Sequence, residues 1–157
     1  MKTVENIKAI GIYELVLRDR FGRIKKRLKL KNMIVNAGLA LLSGLTLSDV
    51  GGTGCDYLAL GTDNTAAAAD QTALLAEIST NGGERTAGTG TQVTTTTTND
   101  TSQLVVTWNF TGSLSLREIG MFNDPSAGTM LSRQVFSMDV VNGDSLQATY
   151  KIIFARA

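Results

Sequence analysis

The last third of the sequence is a series of short apolar segments separated by turn signals, and this pattern restricts the fold more than any other feature. Residues 104–110 alternate in character, so that Leu104, Val106 and Trp108 share one face of a predicted strand. Further strands, with turn-forming residues between them, are predicted at residues 114–122, 129–138 and 145–154. Several short strands spaced by turns are typical of a β-sandwich or jelly roll.

The N-terminal part of the chain predicts a β-hairpin with two different faces. Residues 10–17 are rich in apolar and β-branched residues, Gly22 supplies a turn, and residues 24–31 alternate between apolar and basic side chains. In this second strand Leu28 and Leu30 point one way, and the opposite face carries Arg27, Lys29 and Lys31. Because an isolated hairpin is only marginally stable in water, we expect it to pack on the body of the protein or on a neighbour.

Between the hairpin and the C-terminal strands, the pattern predicts one or two short helices and further β structure. A first helix is expected to begin at Asn36, its N-cap, and a second turn or two of helix is expected within residues 66–77. Residues 57–60 predict a short buried strand, and the threonine-rich residues 86–101 predict a long exposed strand. The predicted fold is mainly β: a β-sandwich or jelly-roll-like body with an N-terminal basic β-hairpin and one or two short helices.

The net charge of +1 conceals two oppositely charged regions. Residues 1–31 contain ten basic and three acidic residues, a net charge of +7, whereas residues 32–157 carry a net charge of −6. Such asymmetry indicates nucleic acid, a protein lattice or another copy as partner, with a solvated basic face as the alternative. Nucleic acid is disfavoured because no recognition motif or interleaved aromatic residues accompany the charges. The residues expected to contact a protein partner are Arg18, Arg20, Arg23, Lys25, Lys26, Arg27, Lys29 and Lys31.

The length of 157 residues predicts a single compact domain, with residues 1–31 as a basic hairpin arm and residues 32–157 as the β-sandwich body. Removal of the arm is expected to leave the body folded. The longest apolar run, around residues 39–42, is far shorter than the roughly 20 residues of a membrane-spanning helix. With no secretion signal visible, we expect the protein to be made in a reducing cytoplasm without membrane contact.

The composition argues against an enzyme. The chain contains no histidine and one cysteine, which excludes histidine-based acid–base dyads, histidine metal sites and an internal disulfide. No nucleophile elbow, phosphate-binding loop or informative carboxylate pair is present, so no catalytic, metal-binding or cofactor-binding residue is predicted. Glu118 lies within an apolar strand, and we expect it to form a structural ion pair with Arg133 or Arg85.

Four stretches, taken in order, give the chain a likeness to a known group of proteins. They are residues 31–39 (KNMIVNAGL), 57–65 (YLALGTDNT) followed by 72–77 and Arg85, 116–123 (LREIGMFN), and 130–136 (MLSRQVF) with 143–146 and 148–154. In these stretches the chain resembles a widespread group of small virion proteins of tailed bacteriophages, known as tail-fibre, tail or decoration proteins. The resemblance implies a structural role in the virion, after assembly in the host bacterial cytoplasm. It also implies a β-sandwich body and homo-oligomers, commonly trimers.

Two locations in the virion are open. A tail fibre usually shows a long repeat, a coiled coil or a separate receptor-binding tip, and the sequence contains none of these. The expected function is therefore that of a capsid decoration or cement protein, and the alternative is a tail or tail-fibre component involved in attachment to the host. In the expected arrangement an apolar patch joins the copies, and the basic arm contacts an acidic patch on the major capsid protein or a neighbouring subunit.

Overall fold

The computed structural model describes residues 6–157 of the chain. These residues contain ten β-strands and one helix. The helix α1 spans Asn36–Gly44, and no helix within these residues has the length and apolar character of a membrane span. The strands are β1 (Ile7–Arg18), β2 (Ile24–Lys31), β3 (Met33–Ile34), β4 (Tyr57–Gly61), β5 (Thr86–Ala87), β6 (Thr89–Val93), β7 (Thr101–Asn109), β8 (Leu114–Phe122), β9 (Met130–Val140) and β10 (Ser145–Arg156).

The strands form two antiparallel five-stranded sheets, which confirms the predicted mainly β fold with a sandwich-like body. Sheet A has the order β2-β1-β10-β7-β6, and sheet B has the order β3-β9-β8-β4-β5. Side chains from both sheets, among them Tyr13, Trp108 and Ile119, form one buried core. The chain crosses between the sheets four times, and two of these crossings are single residues: Asn32 joins β2 to β3 and Gly88 joins β5 to β6. The edges β2 and β3 therefore lie on one side of the sandwich, and β5 and β6 lie on the other.

The basic hairpin is part of the sandwich. Its first strand, β1, pairs with β10 over its whole length of 12 residues, and its second strand, β2, is the outermost strand of sheet A. Tyr13, Leu15 and Leu17 of β1 are almost completely buried in the core. Deletion of residues 1–31 would remove these core side chains with the basic ones, contrary to the expectation that residues 32–157 stay folded without them.

Residues 62–83 contain no helix, so the second helix predicted within residues 66–77 is wrong. This covering segment runs along the outer face of sheet B, where Leu74 packs with Ala59 and Phe122. Within the stretch predicted as helix, the amides of Leu75 and Ala76 bond to sheet B, donating to the Glu118 carboxylate at 3.2 and 2.8 Å. These hydrogen bonds replace the bonds that a helix would make.

Helix α1 also covers sheet B. Asn36 is its first residue, and the N-cap position that we predicted for Asn36 is occupied by Val35, which makes no side-chain capping hydrogen bond. The Asn36 amide instead donates to the carbonyl of Ala69 at 2.8 Å, which ties the helix to the covering segment. Gly38 is buried against β9, where a Cβ atom would lie 2.1 Å from the Leu131 carbonyl oxygen. The helix therefore approaches the sheet closely because position 38 has no side chain.

The threonine-rich region is not one long strand, so the prediction of a long exposed strand over residues 86–101 is wrong. Strand β6 ends at Val93, residues 94–100 form a loop, and β7 begins at Thr101. The Asp100 carboxylate accepts hydrogen bonds from the amides of Thr95, Thr96 and Thr97 at 2.8, 2.8 and 2.7 Å. The backbone groups that a strand would use for pairing are therefore used within the loop.

Candidate interaction face

The outer face of sheet A is the side of the sandwich on which side chains remain accessible. Along β1 the inward residues are fully buried, whereas the outward Ile12, Glu14 and Val16 are only partly buried. On the outer face of sheet B, by contrast, Ala59 and Arg133 are completely buried under the covering segment. The outer face of sheet A is therefore accessible to a binding partner.

Six cations point outward from three neighbouring strands of sheet A. The strand register places Lys31 beside Ile12, which is opposite Lys151, and places Lys29 beside Glu14. Glu14 is the single acidic residue in the described strands of this sheet. We call this surface the basic face, and its cations are Lys8, Arg18, Arg27, Lys29, Lys31 and Lys151.

Glu14 links two of these cations. One carboxylate oxygen lies 3.3 Å from Lys29 Nζ, and the other lies 3.2 Å from Lys151 Nζ. Burial by itself would raise the pKa of Glu14, but the hydrogen bonds from Lys151 and Lys29 together hold this pKa below its ordinary value. The carboxylate therefore stays ionised at neutral pH, and the basic face keeps a net positive charge from its remaining cations.

Four of the eight predicted contact residues are held away from the basic face. Lys25 forms an ion pair with the nearly buried Asp144, and Lys26 Nζ donates to the Ser137 carbonyl at 2.8 Å. The other two lie in the hairpin turn. They are Arg20, which donates to the Asn142 carbonyl at 3.2 Å, and Arg23, which pairs with Asp19 at 2.7 Å.

The structure places the other four predicted residues, Arg18, Arg27, Lys29 and Lys31, on the basic face. It adds Lys8 and Lys151, which were not among the predicted contact residues. The signal was present, because Lys151 alternates with the buried Tyr150 and Ile152 and so must point outward. What the sequence did not show is that β10 lies next to β1 and brings Lys151 to the hairpin.

Glu118 and Arg133 form an ion pair on sheet B, with 2.7 Å between Glu118 Oε2 and Arg133 Nε, and both side chains are completely buried. Arg133 Nη1 also donates to the carbonyl of Thr65 at 2.9 Å and to Gln71 Oε1 at 3.1 Å. Because Glu118 accepts the amides of the covering segment, the pair joins that segment to the sheet. Its geometry is that of a structural clamp, with both charges partnered and removed from solvent.

Arg85, the other candidate partner, pairs with Glu77 and not with Glu118. Its Nε and Nη2 contact the two Glu77 carboxylate oxygens at 2.8 and 2.7 Å. The guanidinium carbon lies 3.7 Å from the centre of the Phe122 ring, and Nη1 donates to the carbonyls of Asp124 and Ala127. Arg85 therefore fixes the covering segment to the turn between β8 and β9.

A cavity of about 230 Å³ opens between the sheets beside α1. Its lining is mainly apolar and includes Leu42, Leu104 and Ile152, with Cys55 in the wall. Burial raises the pKa of the Cys55 thiol to about 12, with a further contribution from Asp56, so the thiol is protonated at neutral pH. Among residues 6–157, no three or more His, Cys, Asp or Glu side chains cluster in a way that could hold a metal ion.

Comparison of the chain with protein-family models, curated proteins and solved structures yields no match. The surfaces of the molecule are therefore the guide to its function. Of the features described above, the basic face alone combines exposure, a defined geometry and a strong excess of one charge.

Proposed function

We propose that this chain is a non-enzymatic structural protein of a tailed-bacteriophage virion, which forms homo-oligomers that decorate and reinforce the capsid shell. The observation that carries the proposal is the basic face, an open sheet surface with six cations and one acid. Such a surface recognises an acidic protein surface by charge complementarity, which sets orientation and rejects wrong partners.

The rigidity of the basic face supports binding to a repeated surface. Its cations project from paired strands of one sheet, and β1 is hydrogen-bonded on both sides, to β2 and to β10. A partner therefore meets cations whose backbone is already ordered, and less conformational entropy is lost on binding. When several copies in one oligomer engage a lattice together, modest affinity for each copy becomes strong attachment of the whole.

The composition of the basic face favours a protein partner over single-stranded nucleic acid. None of the outward-facing residues on the described strands of sheet A is aromatic, whereas proteins that bind single strands stack bases on aromatic rings. If the partner is nonetheless a nucleic acid, its affinity will fall steeply as the salt concentration rises.

The likeness to phage virion proteins also supports the proposal, and it lies mainly in sheet B. Three of the similar stretches, 57–65, 116–123 and 130–136, lie largely in sheet B, where they supply Glu118 and Arg133. These three stretches therefore belong to the clamped part of the sandwich, whereas the stretches 31–39 and 148–154 include Lys31 and Lys151 of the basic face. The other four cations of the basic face lie outside the likeness, as expected if each such protein meets a different partner.

The number of copies in a virion tests the proposal. Quantitative mass spectrometry of purified particles, with the major capsid protein as internal standard, is expected to show a copy number comparable with that of the capsid protein. The protein should also remain with heads when heads and tails are separated. A handful of copies, or copies that follow the tails, would contradict shell decoration and support the tail alternative.

A further inference from the structure

A second charged surface lies on the side of the sandwich opposite β2. It carries Asp56, Glu84 and Asp124, and we call it the acidic edge. The amide of Gly88 donates to the Asp56 carbonyl at 2.8 Å, and Arg85 Nη1 donates to the Asp124 carbonyl at 3.0 Å. Glu84 lies two residues before β5. All three acids therefore lie near the β5 edge of sheet B.

The charges of the acidic edge are free to meet a partner. All three residues are exposed, and none takes part in an ion pair within residues 6–157. Arg85, which contacts the Asp124 carbonyl, has its Nε and Nη2 engaged by Glu77. The acidic edge is thus uncompensated, as are Arg27 and Lys31 on β2, which form no ion pair in the described part of the chain.

The two surfaces lie at different places on the sandwich, since the basic face is the outer face of β2, β1 and β10 and the acidic edge lies at the β5 side. Asn32 keeps β2 next to β3 on one side, and Gly88 keeps β5 next to β6 on the other. A single copy cannot bring its own basic face and acidic edge together. Two copies can do so when the outer face of β2 in one copy is placed against the β5 side of the next.

We infer that the β2 part of the basic face, with Arg27 and Lys31, contacts the acidic edge of a second copy of this chain, so that copies associate head to tail while the β1 and β10 cations remain for the shell. The inference rests on the proposed function, of which it names the contact between copies. A head-to-tail contact uses two different surfaces, so every copy added presents a new basic face and a new acidic edge. Such association gives a ring of defined size when the rotation between neighbours closes, and an open fibre when it does not.

Charge reversal on each surface separately tests the inference. The first variant is Arg27→Glu with Lys31→Glu, and the second is Asp56→Lys with Glu84→Lys. Each is expected to weaken self-association by about a hundredfold or more, because like charges then oppose each other across the contact. The quadruple variant restores opposite charges and is expected to recover the oligomer. The readout is molar mass from light scattering after size exclusion, at several protein concentrations.

The matched control reverses two charges of the hairpin turn, Arg20→Glu with Arg23→Glu. It changes the net charge as much as the first variant does and is expected to keep the wild-type mass. Thermal melting of every variant checks that the sandwich is folded. A monomeric wild type, an unchanged mass in either double variant, or a quadruple variant that stays dissociated would overturn the inference.

This experiment is independent of the count of copies in virions. A monomeric protein present in capsid-like numbers would overturn the head-to-tail contact and leave shell decoration standing. A charge-dependent oligomer present in a few copies per particle would do the reverse. The two proposals therefore fail separately.

Discussion

The outer faces of the two sheets differ in the solvent exposure of their ion pairs. On sheet B, Glu118 and Arg133 are completely buried and paired beneath the covering segment. On sheet A, Lys29 keeps 68% of its side chain exposed while it pairs with Glu14. The same kind of interaction therefore holds the fold together on one face and leaves a surface available for binding on the other.

This difference has a physical basis in solvation. A buried ion pair has lost its water, so removal of one member strands the other charge in an apolar environment. An exposed pair exchanges protein contacts for water at little cost. Variation of charges on sheet B should therefore change stability, and variation on sheet A should change association.

The largest effect is expected from Arg133→Met, which leaves the Glu118 carboxylate buried without its cation. We expect the free energy of unfolding to fall by about 3–5 kcal/mol, as for other broken buried pairs. Denaturant titration followed by circular dichroism measures it. The matched exposed variant, Lys29→Ala, should cost less than about 1 kcal/mol. Equal losses in the two variants would contradict the contrast between the faces.

A smaller effect is expected from Gly38→Ala, because the added Cβ would lie 2.1 Å from the Leu131 carbonyl oxygen and push α1 away from sheet B. The expected loss of unfolding free energy is about 1–3 kcal/mol. The control is Gly90→Ala on sheet A, where a Cβ meets nothing within 4 Å and φ is not positive. That change should be neutral or stabilise by up to about 1 kcal/mol, since it restricts the unfolded chain.

An acid-dependent effect is expected from Asp100, at the end of sheet A. Hydrogen bonds from the amides of Thr97 and Thr95, followed by that of Thr96, lower its pKa below the ordinary 3.8. A lowered pKa stabilises the fold above pH 3.8 and loses this contribution as the pH falls below that value. The difference in melting temperature between wild type and Asp100→Asn should therefore shrink on acidification. A difference that is constant with pH would show that the carboxylate charge is not involved.

The smallest effect on stability is expected from Arg27→Ala with Lys31→Ala on the basic face. Because both side chains are exposed and form no ion pair in the described residues, unfolding free energy should change by no more than about 0.5 kcal/mol. Denaturant titration at protein concentrations too low for copies to associate measures this change, so that loss of the contact between copies does not enter it. A loss as large as that of Arg133→Met would mean that the basic face also holds the fold together.

Local pattern predicted the strands well where a strand has one buried and one wet face. In β2 the alternation of leucines with cations fixes which side chains point inward, and in β7 Trp108 and its neighbours do the same. The pattern failed at residues 66–77, because the acceptor for the amides of Leu75 and Ala76 is a carboxylate more than forty residues away, as the separations of 43 and 42 show. No local signal encodes such a bond.

The candidate site was predicted only in part, again because some of its contacts join residues that are distant in the sequence. The hairpin cations were visible as a run of charge, yet the run does not show that Lys25 and Lys26 bind Asp144 and Ser137 on the body. Strand neighbours also decide the extent of the face, since the pairing of β1 with β10 adds Lys151. The run of charge in the sequence predicts that a basic surface exists, and the order of the strands in sheet A decides which cations belong to it.

The single-residue connections at Asn32 and Gly88 have a mechanical consequence. A chain can span at most about 3.6 Å per residue, so neither connection has slack to lengthen. One sheet cannot slide over the other without pulling on both lateral edges of the sandwich. A load applied to the basic face is therefore passed through the backbone to the clamped sheet behind it, and the molecule resists shear as one stiff plate.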